Sequence, residues 1–448
     1  MNKFITLIIL FQILISLTNQ YIELQFKEDK LTNNQKVEIC FGIKEQCFNL
    51  ILDINSIYSF VQNYKNPLTD VKKINEDLGN IETKSKNERL RFPYGKSIKS
   101  NILQSSIFIN SKEIKNITYA SALESEDFGS IDGIFGLGYS SDKKSFERNI
   151  ISQLGNLKKI SDKVYTISYS NNIGTIKIGY IPNNYIDNYL NIGFCGIEIS
   201  LLGEWGCSLN GILLGTDLKS DKLIKVQDQK FIFNYNSPKI IFPVSYLLKL
   251  EKEYFGIYVK RGDCYFGFKN DYYTFTCKNK EVTQLYDITL KTDYWGITIP
   301  IKDLFIYDLK ESEYDFQIFG KDDINSFIIG MPILKDMELV FNYDREEILF
   351  SSNNKDRLIQ FDKRPKPNEP IKPTKDLEEE KVVPENNKEN TKEDVSAFIF
   401  IIKVLISIVI VLVILYVSLI ILRNIRKKKF VDPNFYYKAT EELFSENI

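Results

Sequence analysis

The stretch "LILDINSIYSFV" (Leu50–Val61) ends an apolar strand on a polar residue, and "FIFNYNSPKIIFP" (Phe231–Pro243) repeats this pattern. Both copies read apolar-apolar-polar-x-Asn-Ser, with Asp53 as the polar residue in the first and Asn234 in the second. A lone aspartate at a strand end is most often a turn or capping residue. The repetition favours two equivalent halves, and it makes Asp53 and Asn234 the candidate site residues.

Each half also contains an apolar segment that ends in a glycine. The first is "SIDGIFGLGYSS" with Gly136, and the second is "SFIIGMPILKDMELVFNY" with Gly330. A glycine lets another backbone pass at a distance that any side chain would block. We therefore expect each polar turn to lie against its glycine segment. Two such lobes, meeting across a cleft, would place Asp53 and Asn234 side by side at the centre.

The composition excludes several classes of site. The 448 residues include no histidine, which rules out Ser-His and Cys-His nucleophile pairs and histidine-ligated metals. The 58 basic and 59 acidic residues nearly cancel, so no nucleic-acid partner is indicated. No metal and no cofactor are expected, and any hydrolytic chemistry must rest on carboxylates, hydroxyls, amines or thiols.

Both ends of the chain carry membrane-targeting patterns. Residues 1–20 have one lysine near their start, followed by a short apolar run, which is typical of a signal peptide. The Pro-rich, charged segment 353–395 cannot bury a core and predicts a flexible stalk. Residues 396–422, with the uncharged run Val404–Leu422, predict one transmembrane helix, and the basic start of 423–448 predicts a cytosolic tail. A single-pass type I membrane protein of the secretory pathway follows, with its main domain extracellular or lumenal.

That compartment favours disulfides for the six cysteines. Sequence does not fix their connectivity, and pairing between near neighbours is the preferred interpretation: Cys40 with Cys47, Cys195 with Cys207, and Cys264 with Cys277. A zinc site is disfavoured because there is neither a histidine nor a C-x-x-C motif. Asn116-Ile117-Thr118 is a glycosylation sequon on a segment expected to be exposed.

Strand signals dominate between the signal peptide and the stalk. Short β-branched or aromatic runs alternate with turn residues, for example in "VYTISYS", "GTIKIGYI" and "KFIFNY". Helical spacing appears in Phe146–Leu157, and again in Val244–Phe255 directly after Pro243. The fold is therefore predicted to be mainly β, of a sandwich or barrel type, with a few helices.

The motifs, taken in order, resemble the pepsin-like eukaryotic aspartic peptidase family over Tyr21 to Ser352. "LILDINS" resembles the family's first Asp-Thr-Gly-Ser motif, and "IDGIFGLGYSS" resembles its Asp-Gly-Ile-Leu-Gly-Leu-Gly signature. "WGCSLNGILLG" and "FIIGMPILKDMELVFNYDREEILFS" resemble the strands that open and close the second lobe. "RFPYG" places Tyr94 and Gly95 where the tyrosine of the family's flap falls.

The resemblance implies a bilobal fold of two pseudo-twofold-related β lobes, 21–200 and 201–352, with a cleft for a peptide or protein substrate under a hairpin flap. It implies Asp53 and Asn234 at the two catalytic positions. The residues that would contact the substrate are Tyr94, Gly95, Asn55, Ser56, Asn236 and Ser237.

The family's chemistry needs two aspartates that share one proton around a water molecule, and Asn234 supplies only an amide. We therefore expect an inactive or strongly impaired peptidase that retains peptide binding. Without a second carboxylate beside it, Asp53 is expected to have an ordinary pKa. Asn55 and Asn236 replace the motif glycines, and the expectation is that asparagine tolerates the left-handed backbone of such turns.

Two alternatives remain open. The protein would be an active aspartic endopeptidase if deamidation of Asn234 or a partner protein restored the missing group. It would be a non-enzymatic adhesion or scaffold module if it used its outer β surface instead of the cleft; exposed apolar loops would favour that function.

Overall fold

Strands account for most of the regular structure in the computed structural model of this chain, as the sequence predicts. The structure describes residues 21–361 except 31, 171–172, 183–184, 186–191, 198–202, 216–221 and 270. These residues belong to a compact unit that ends at Glu369. The predicted signal peptide, most of the stalk, the transmembrane segment and the cytosolic tail lie outside the described residues. No described helix is both long and apolar enough to cross a bilayer.

The first half of the chain contributes the strands β1 Ile22–Glu28, β2 Gln35–Phe41, β3 Cys47–Asp53, β4 Phe60–Asn63, β5 Lys73–Ile74, β6 Glu82–Arg91, β7 Ser97–Ile109, β8 Lys112–Glu124, β9 Gly133–Gly136, β10 Val164–Ser170, β11 Ile173–Ile178 and β12 Gly193–Gly196. The second half contributes β13 Gly206–Leu214, β14 Leu223–Phe233, β15 Ile240–Pro243, β16 Cys264–Lys269, β17 Tyr272–Cys277, β18 Ile288–Lys291, β19 Trp295–Ile299, β20 Phe305–Asp308, β21 Glu313–Phe316, β22 Ile318–Lys321, β23 Ser326–Ile329, β24 Met337–Asn342, β25 Glu347–Ser352 and β26 Leu358–Gln360.

The described helices are short: α1 Lys143–Arg148, α2 Ile150–Asn156, α3 Val244–Glu253, α4 Gly256–Lys260, α5 Ile301–Leu304 and α6 Met331–Leu334. The continuous helix expected over Phe146–Leu157 is broken at Asn149. The Asn149 side chain accepts a hydrogen bond from the Ile151 N–H at 2.8 Å and so caps a new helix. The helix expected after Pro243 is confirmed as α3.

The strands form two sheets within the described residues. The first runs in the order β12-β25-β24-β10-β11-β1-β2-β3-β9-β4-β8-β7-β6, and β5 lies beside β4. The second runs β20-β21-β17-β22-β15-β23-β14-β13-β18-β19-β26, and β16 lies beside β17. The late strands β24 and β25 join the first sheet because β24 pairs with β10, with Leu339 opposite Ile167.

The second sheet extends beyond residue 352, where the sequence places the start of the stalk. Strand β26 pairs with β19, with Leu358 opposite Ile297. Arg357, only 1% exposed, forms ion pairs with Asp303 at 2.9 Å and Asp336 at 2.6 Å. The segment that leads to β26 is therefore part of the folded domain.

Both halves repeat one local arrangement. Strand β3 lies parallel to β9 with Asp53 opposite Gly136, and β14 lies parallel to β23 with Phe233 opposite Ile329. One large apolar cluster fills the interior of both sheets. A smaller cluster in each half lies apart from it, one around Phe60 and Phe92 and the other around Ile232 and Ile241.

Candidate active site

The first motif turn holds a carboxylate at the end of β3. The Asp53 carboxylate accepts hydrogen bonds from the Asn55 N–H at 2.9 Å and from the Ser56 hydroxyl at 2.5 Å. The Leu137 N–H donates to the Asp53 carbonyl at 2.9 Å, which ties the turn to the segment after Gly136. Asp53 is thus held by its own turn, and its carboxylate is only partly exposed.

The second motif turn has the same shape but a different side chain. The Asn234 amide oxygen accepts from the Asn236 N–H at 2.9 Å, just as Asp53 accepts from Asn55. The Asn234 N–H donates to the Ile329 carbonyl at 2.9 Å. Ser237 differs from Ser56, because its hydroxyl donates to the Lys239 carbonyl at 2.7 Å. In the second turn, the serine therefore does not reach the central polar residue.

Two reciprocal hydrogen bonds join the turns. The Asn55 amide donates to the Phe233 carbonyl at 2.8 Å, and the Asn236 amide donates to the Leu52 carbonyl at 2.7 Å. Each acceptor directly precedes a central residue, so Asp53 and Asn234 are brought to neighbouring positions. The side chains Asn55 and Asn236 therefore serve as cross-links between the two halves.

The oxygen atoms of the same two amides are also satisfied. Asn55 accepts from the Trp205 N–H at 3.1 Å, and Asn236 accepts from the Gln35 N–H at 2.9 Å. Neither asparagine is among the described residues with positive φ. Neither turn therefore has the left-handed backbone that asparagine was expected to tolerate there, and the side-chain amides join the two turns instead.

The glycines behind the turns have the role that the sequence predicts. A Cβ atom on Gly136 would lie 2.4 Å from the Tyr58 carbonyl oxygen and 2.6 Å from that of Ser56. A Cβ on Gly330 would lie 2.2 Å from the Lys239 carbonyl oxygen. Close backbone approach at both positions is confirmed.

A hairpin made of β6 and β7 extends over the site, with Tyr94 and Gly95 at its tip. Tyr94 has φ 62°, a left-handed conformation that is uncommon for a bulky residue. Although 55% of Tyr94 is exposed, its hydroxyl group lies near the Asn234 side chain. Desolvation, with smaller contributions from Glu204 and Asp53, raises the pKa of Tyr94.

Burial also raises the pKa of Asp53, and the nearby Glu204 carboxylate acts in the same direction. The hydrogen bonds from Ser56 and Asn55 and the charge of Lys96 lower the pKa, but they do not outweigh the burial. The expectation of an ordinary pKa is therefore wrong. Removing the second carboxylate does not rehydrate the first, because the surrounding structure still shields it from water.

Sequence reasoning missed two charged residues at the edge of the site. Glu204 and Lys230 form an ion pair at 2.9 Å, with only 16% and 19% of their side chains exposed. Glu204 lies beside the first turn because the adjacent Trp205 N–H binds Asn55. No local motif marks Glu204, since its position depends on the packing of β13 against a turn far away in the chain.

The remaining predicted residues lie away from the central turns. The three disulfides are confirmed in the predicted pairing, Cys40–Cys47, Cys195–Cys207 and Cys264–Cys277. Asn116, the predicted glycosylation position, is exposed on β8. Within the part of the chain that the structure describes, no group of three or more acidic or cysteine side chains is placed to hold a metal.

Comparison with known protein families identifies the family of this chain. The family model described as eukaryotic aspartyl protease matches residues 36–353, well over half of the chain. No curated protein matches the chain. The matched segment includes both motif turns, the β6–β7 hairpin, Gly136 and Gly330.

Proposed function

Because the chain belongs to the eukaryotic aspartyl protease family, we propose that it is a membrane-anchored member that binds peptides in its cleft but hydrolyses them slowly or not at all. In this proposal Asn234 occupies the position of the second catalytic aspartate. The observation that carries the proposal is the cross-linked pair of turns, which offers one carboxylate at Asp53 and one amide at Asn234.

The chemistry explains why this pair is impaired. Attack of water on a peptide carbonyl requires one group that removes a proton from the water and another that donates a proton to the substrate. An amide keeps its protons at any working pH, so Asn234 can orient a water molecule but cannot exchange a proton with it. Loss of a general acid or base costs about 10²- to 10⁴-fold in rate. Asn234 would also provide less stabilisation of the developing charge, so the upper part of that range is expected.

Peptide binding is supported by what surrounds the turns. The hairpin of β6 and β7 covers the site, and the apolar cluster around Phe60 and Phe92 lies beneath it. A matching apolar cluster around Ile232 and Ile241 lies on the side of Asn234. Apolar walls with a few polar groups at the centre are typical of ligand clefts.

The test is peptide cleavage by the full-length protein in detergent, from about pH 3 to pH 7, with a mixed peptide library. The wild type is compared with Asn234→Asp and Asp53→Ala, and with Asn33→Asp as a control that adds the same charge in an exposed turn. We expect little or no cleavage by the wild type and a gain of about 10²-fold or more in Asn234→Asp. The control should stay at the level of the wild type.

Other outcomes of this test would favour one of the two alternative functions. Wild-type turnover that Asp53→Ala abolishes would overturn the proposal in favour of an active endopeptidase. Deamidation of Asn234 is disfavoured as a route to such activity, because the following Tyr235 is bulky and buried. A protein partner that binds equally well to a cleft-altered variant would favour the adhesion or scaffold alternative.

Membrane anchoring and secretory localisation are part of the same proposal. They rest on the apolar run Val404–Leu422 and the basic residues that follow it. The protein should stay in the membrane pellet after alkaline carbonate extraction, and a chain ending at residue 395 should be released. Equal release of both chains would contradict anchoring by this segment.

A further inference from the structure

Lys239 lies in an aromatic environment directly after the second motif turn. Its Nζ atom is 4.0 Å from the ring centroid of Tyr272 and 4.3 Å from that of Phe319. The two rings contact each other edge to face at 5.9 Å. The ammonium group is thus held between two π faces, a placement that attracts a cation electrostatically and limits its freedom.

The pairing of the strands places this group in the cleft. Ile232 of β14 is opposite Ile328 of β23, which in turn is opposite Ile241 of β15. Asn234 directly follows β14 and continues the alternation from Ile232. Lys239 precedes β15, and its Nζ atom lies over Phe319, which is opposite Ile241, so Lys239 lies on the same face as Ile241. Since β15 runs antiparallel to β23, and β14 runs parallel to β23, Asn234 and Lys239 lie at the same end of that face.

Tyr94, at the tip of the hairpin, lies near both Asp53 and Asn234, so the face that carries Asn234 borders the cleft. The face carries its own small apolar cluster, separate from the main core, with Tyr272 packed against it. Lys239, Tyr272 and Phe319 are all partly exposed, so a ligand in the cleft can reach them.

The charge of Lys239 is incompletely compensated. Among the described residues, no carboxylate lies within ion-pair distance of its Nζ atom, and only the exposed Asp271 has an electrostatic influence on it. Partial burial lowers the pKa of Lys239, because desolvation disfavours the charged form. The attraction of an anionic partner would offset part of that desolvation, and the rings would restrict the partner's position.

We propose that Lys239, with Tyr272 and Phe319, is a specificity-determining site that selects peptides carrying an aspartate or glutamate side chain beside the centre of the cleft. The inference rests on the proposed function, since it names the class of peptide that this cleft prefers. The main alternative is that Lys239 only packs its apolar stem on the two rings and leaves its charge to solvent.

The experiment uses the full-length protein in detergent and fluorescein-labelled octapeptide libraries. In each library one position carries either glutamate or glutamine, and the other positions are equimolar mixtures. Binding is followed by fluorescence anisotropy. We expect the wild type to prefer glutamate at one position by about 3- to 10-fold, the range between an exposed ion pair and a partly desolvated one.

The variants assign that preference to one side chain. Lys239→Met removes the charge at similar volume and should abolish the preference while binding of the glutamine peptides is retained. Lys239→Arg should keep the preference. Lys249→Met is the matched control, because Lys249 lies 4.2 Å over the Tyr246 ring in the same cation–π arrangement but on the exposed side of α3. Thermal melting of each variant verifies that it is folded.

The outcomes separate this inference from the proposed function. Peptides that bind without preference at any position, or a preference that survives in Lys239→Met, would overturn the assignment of Lys239 and leave the binding cleft intact. Failure of every library to bind the wild type would overturn both. Loss of preference in Lys249→Met as well would attribute the effect to net charge and also contradict the site.

Discussion

At the scale of single residues, the two halves are joined by asparagine side chains. Asn55 and Asn236 each donate to a carbonyl of the other half and accept from a backbone N–H. In each asparagine the amide NH₂ donates one hydrogen bond and the amide oxygen accepts another. Removing either side chain therefore leaves two backbone groups without a partner. Asn55 is buried and Asn236 is half-buried, so the cost is expected to be larger for Asn55.

Asn55→Ala should lower the free energy of unfolding by about 1–3 kcal/mol, because it leaves the Phe233 carbonyl and the Trp205 N–H unsatisfied. Asn236→Ala should cost less. Asn49→Ala, which changes an exposed asparagine on the same strand as Asp53, is the control and should be nearly neutral. Urea denaturation measures all three. A loss in Asn49→Ala as large as that in Asn55→Ala would contradict the cross-link.

Asp53 links the site to pH. Because burial raises the pKa of Asp53, the folded state binds the proton more tightly than the unfolded chain does. The stability that this provides is fully present below the unfolded pKa and is lost as the pH rises through the folded pKa. Asp53→Asn lacks this loss, so it should become more stable than the wild type as the pH rises, by about 1.4 kcal/mol for each pKa unit of the shift.

The measurement is the free energy of unfolding of both proteins across mildly acidic to neutral pH. Asp77→Asn, at an exposed turn residue, provides the control for removing one carboxylate. A difference between Asp53→Asn and the wild type that is constant with pH, or that shrinks as the pH rises, would contradict burial as the dominant cause of the shift.

At the scale of elements, each motif turn depends on the strand that passes behind it. Gly136 is the last residue of β9, and Gly330 directly follows β23. Both glycines pack against carbonyl oxygens of the motif turns. The constraint is contact with backbone, which cannot move aside as a flexible side chain can. Glycine is therefore required at these positions because there is no room for a Cβ atom, and neither position needs a positive φ.

Gly136→Ala and Gly330→Ala should each lower the free energy of unfolding by about 3 kcal/mol, the upper end of the usual cost of overpacking, because the added methyl group overlaps backbone oxygens. Gly196→Ala is the matched control: Gly196 ends strand β12, and a Cβ atom there meets nothing within 4 Å. Thermal melting compares the three variants. A melting temperature unchanged in Gly330→Ala would show that the second turn relaxes away from its strand.

At the scale of the whole molecule, the last described strands decide how the domain closes. Strands β24 and β25 return to the first sheet, whereas β26 ends in the second. Arg357 lies just before β26, is buried, and pairs with Asp303 and Asp336 from two separate segments. Its guanidinium group thus connects the end of the domain to two earlier parts of the chain.

Arg357→Met should lower the free energy of unfolding by about 2–4 kcal/mol. The cost stays below that of a fully buried ion pair, because Asp303 and Asp336 are about one-third exposed and can be rehydrated. Arg345→Met is the control, since Arg345 is 62% exposed and its ion pair with Glu347 is 3.7 Å long. If both substitutions had the same small effect, Arg357 would not connect these segments.

Much of the site could be predicted because its signals are local. The duplicated polar turn, the two glycines and the near-neighbour cysteine pairs are each contained in short stretches, and each reflects a constraint of backbone geometry or chain proximity. The part of the fold predicted less well was its boundaries. Asn149 divides one helical stretch by capping, and β26 lies in a polar segment whose pairing with β19 depends on a distant strand.

By itself the sequence determined that this chain is mainly β, that it contains the same polar turn twice, and that the second turn has an amide where the first has a carboxylate. Only the tertiary structure decided what surrounds these groups: the cross-links through Asn55 and Asn236, the approach of Glu204, the raised pKa of Asp53 and the aromatic contacts of Lys239. The reason is physical. Residue type sets which bonds a group can make, whereas burial and electrostatic environment depend on atoms that are distant in the chain and meet only after folding.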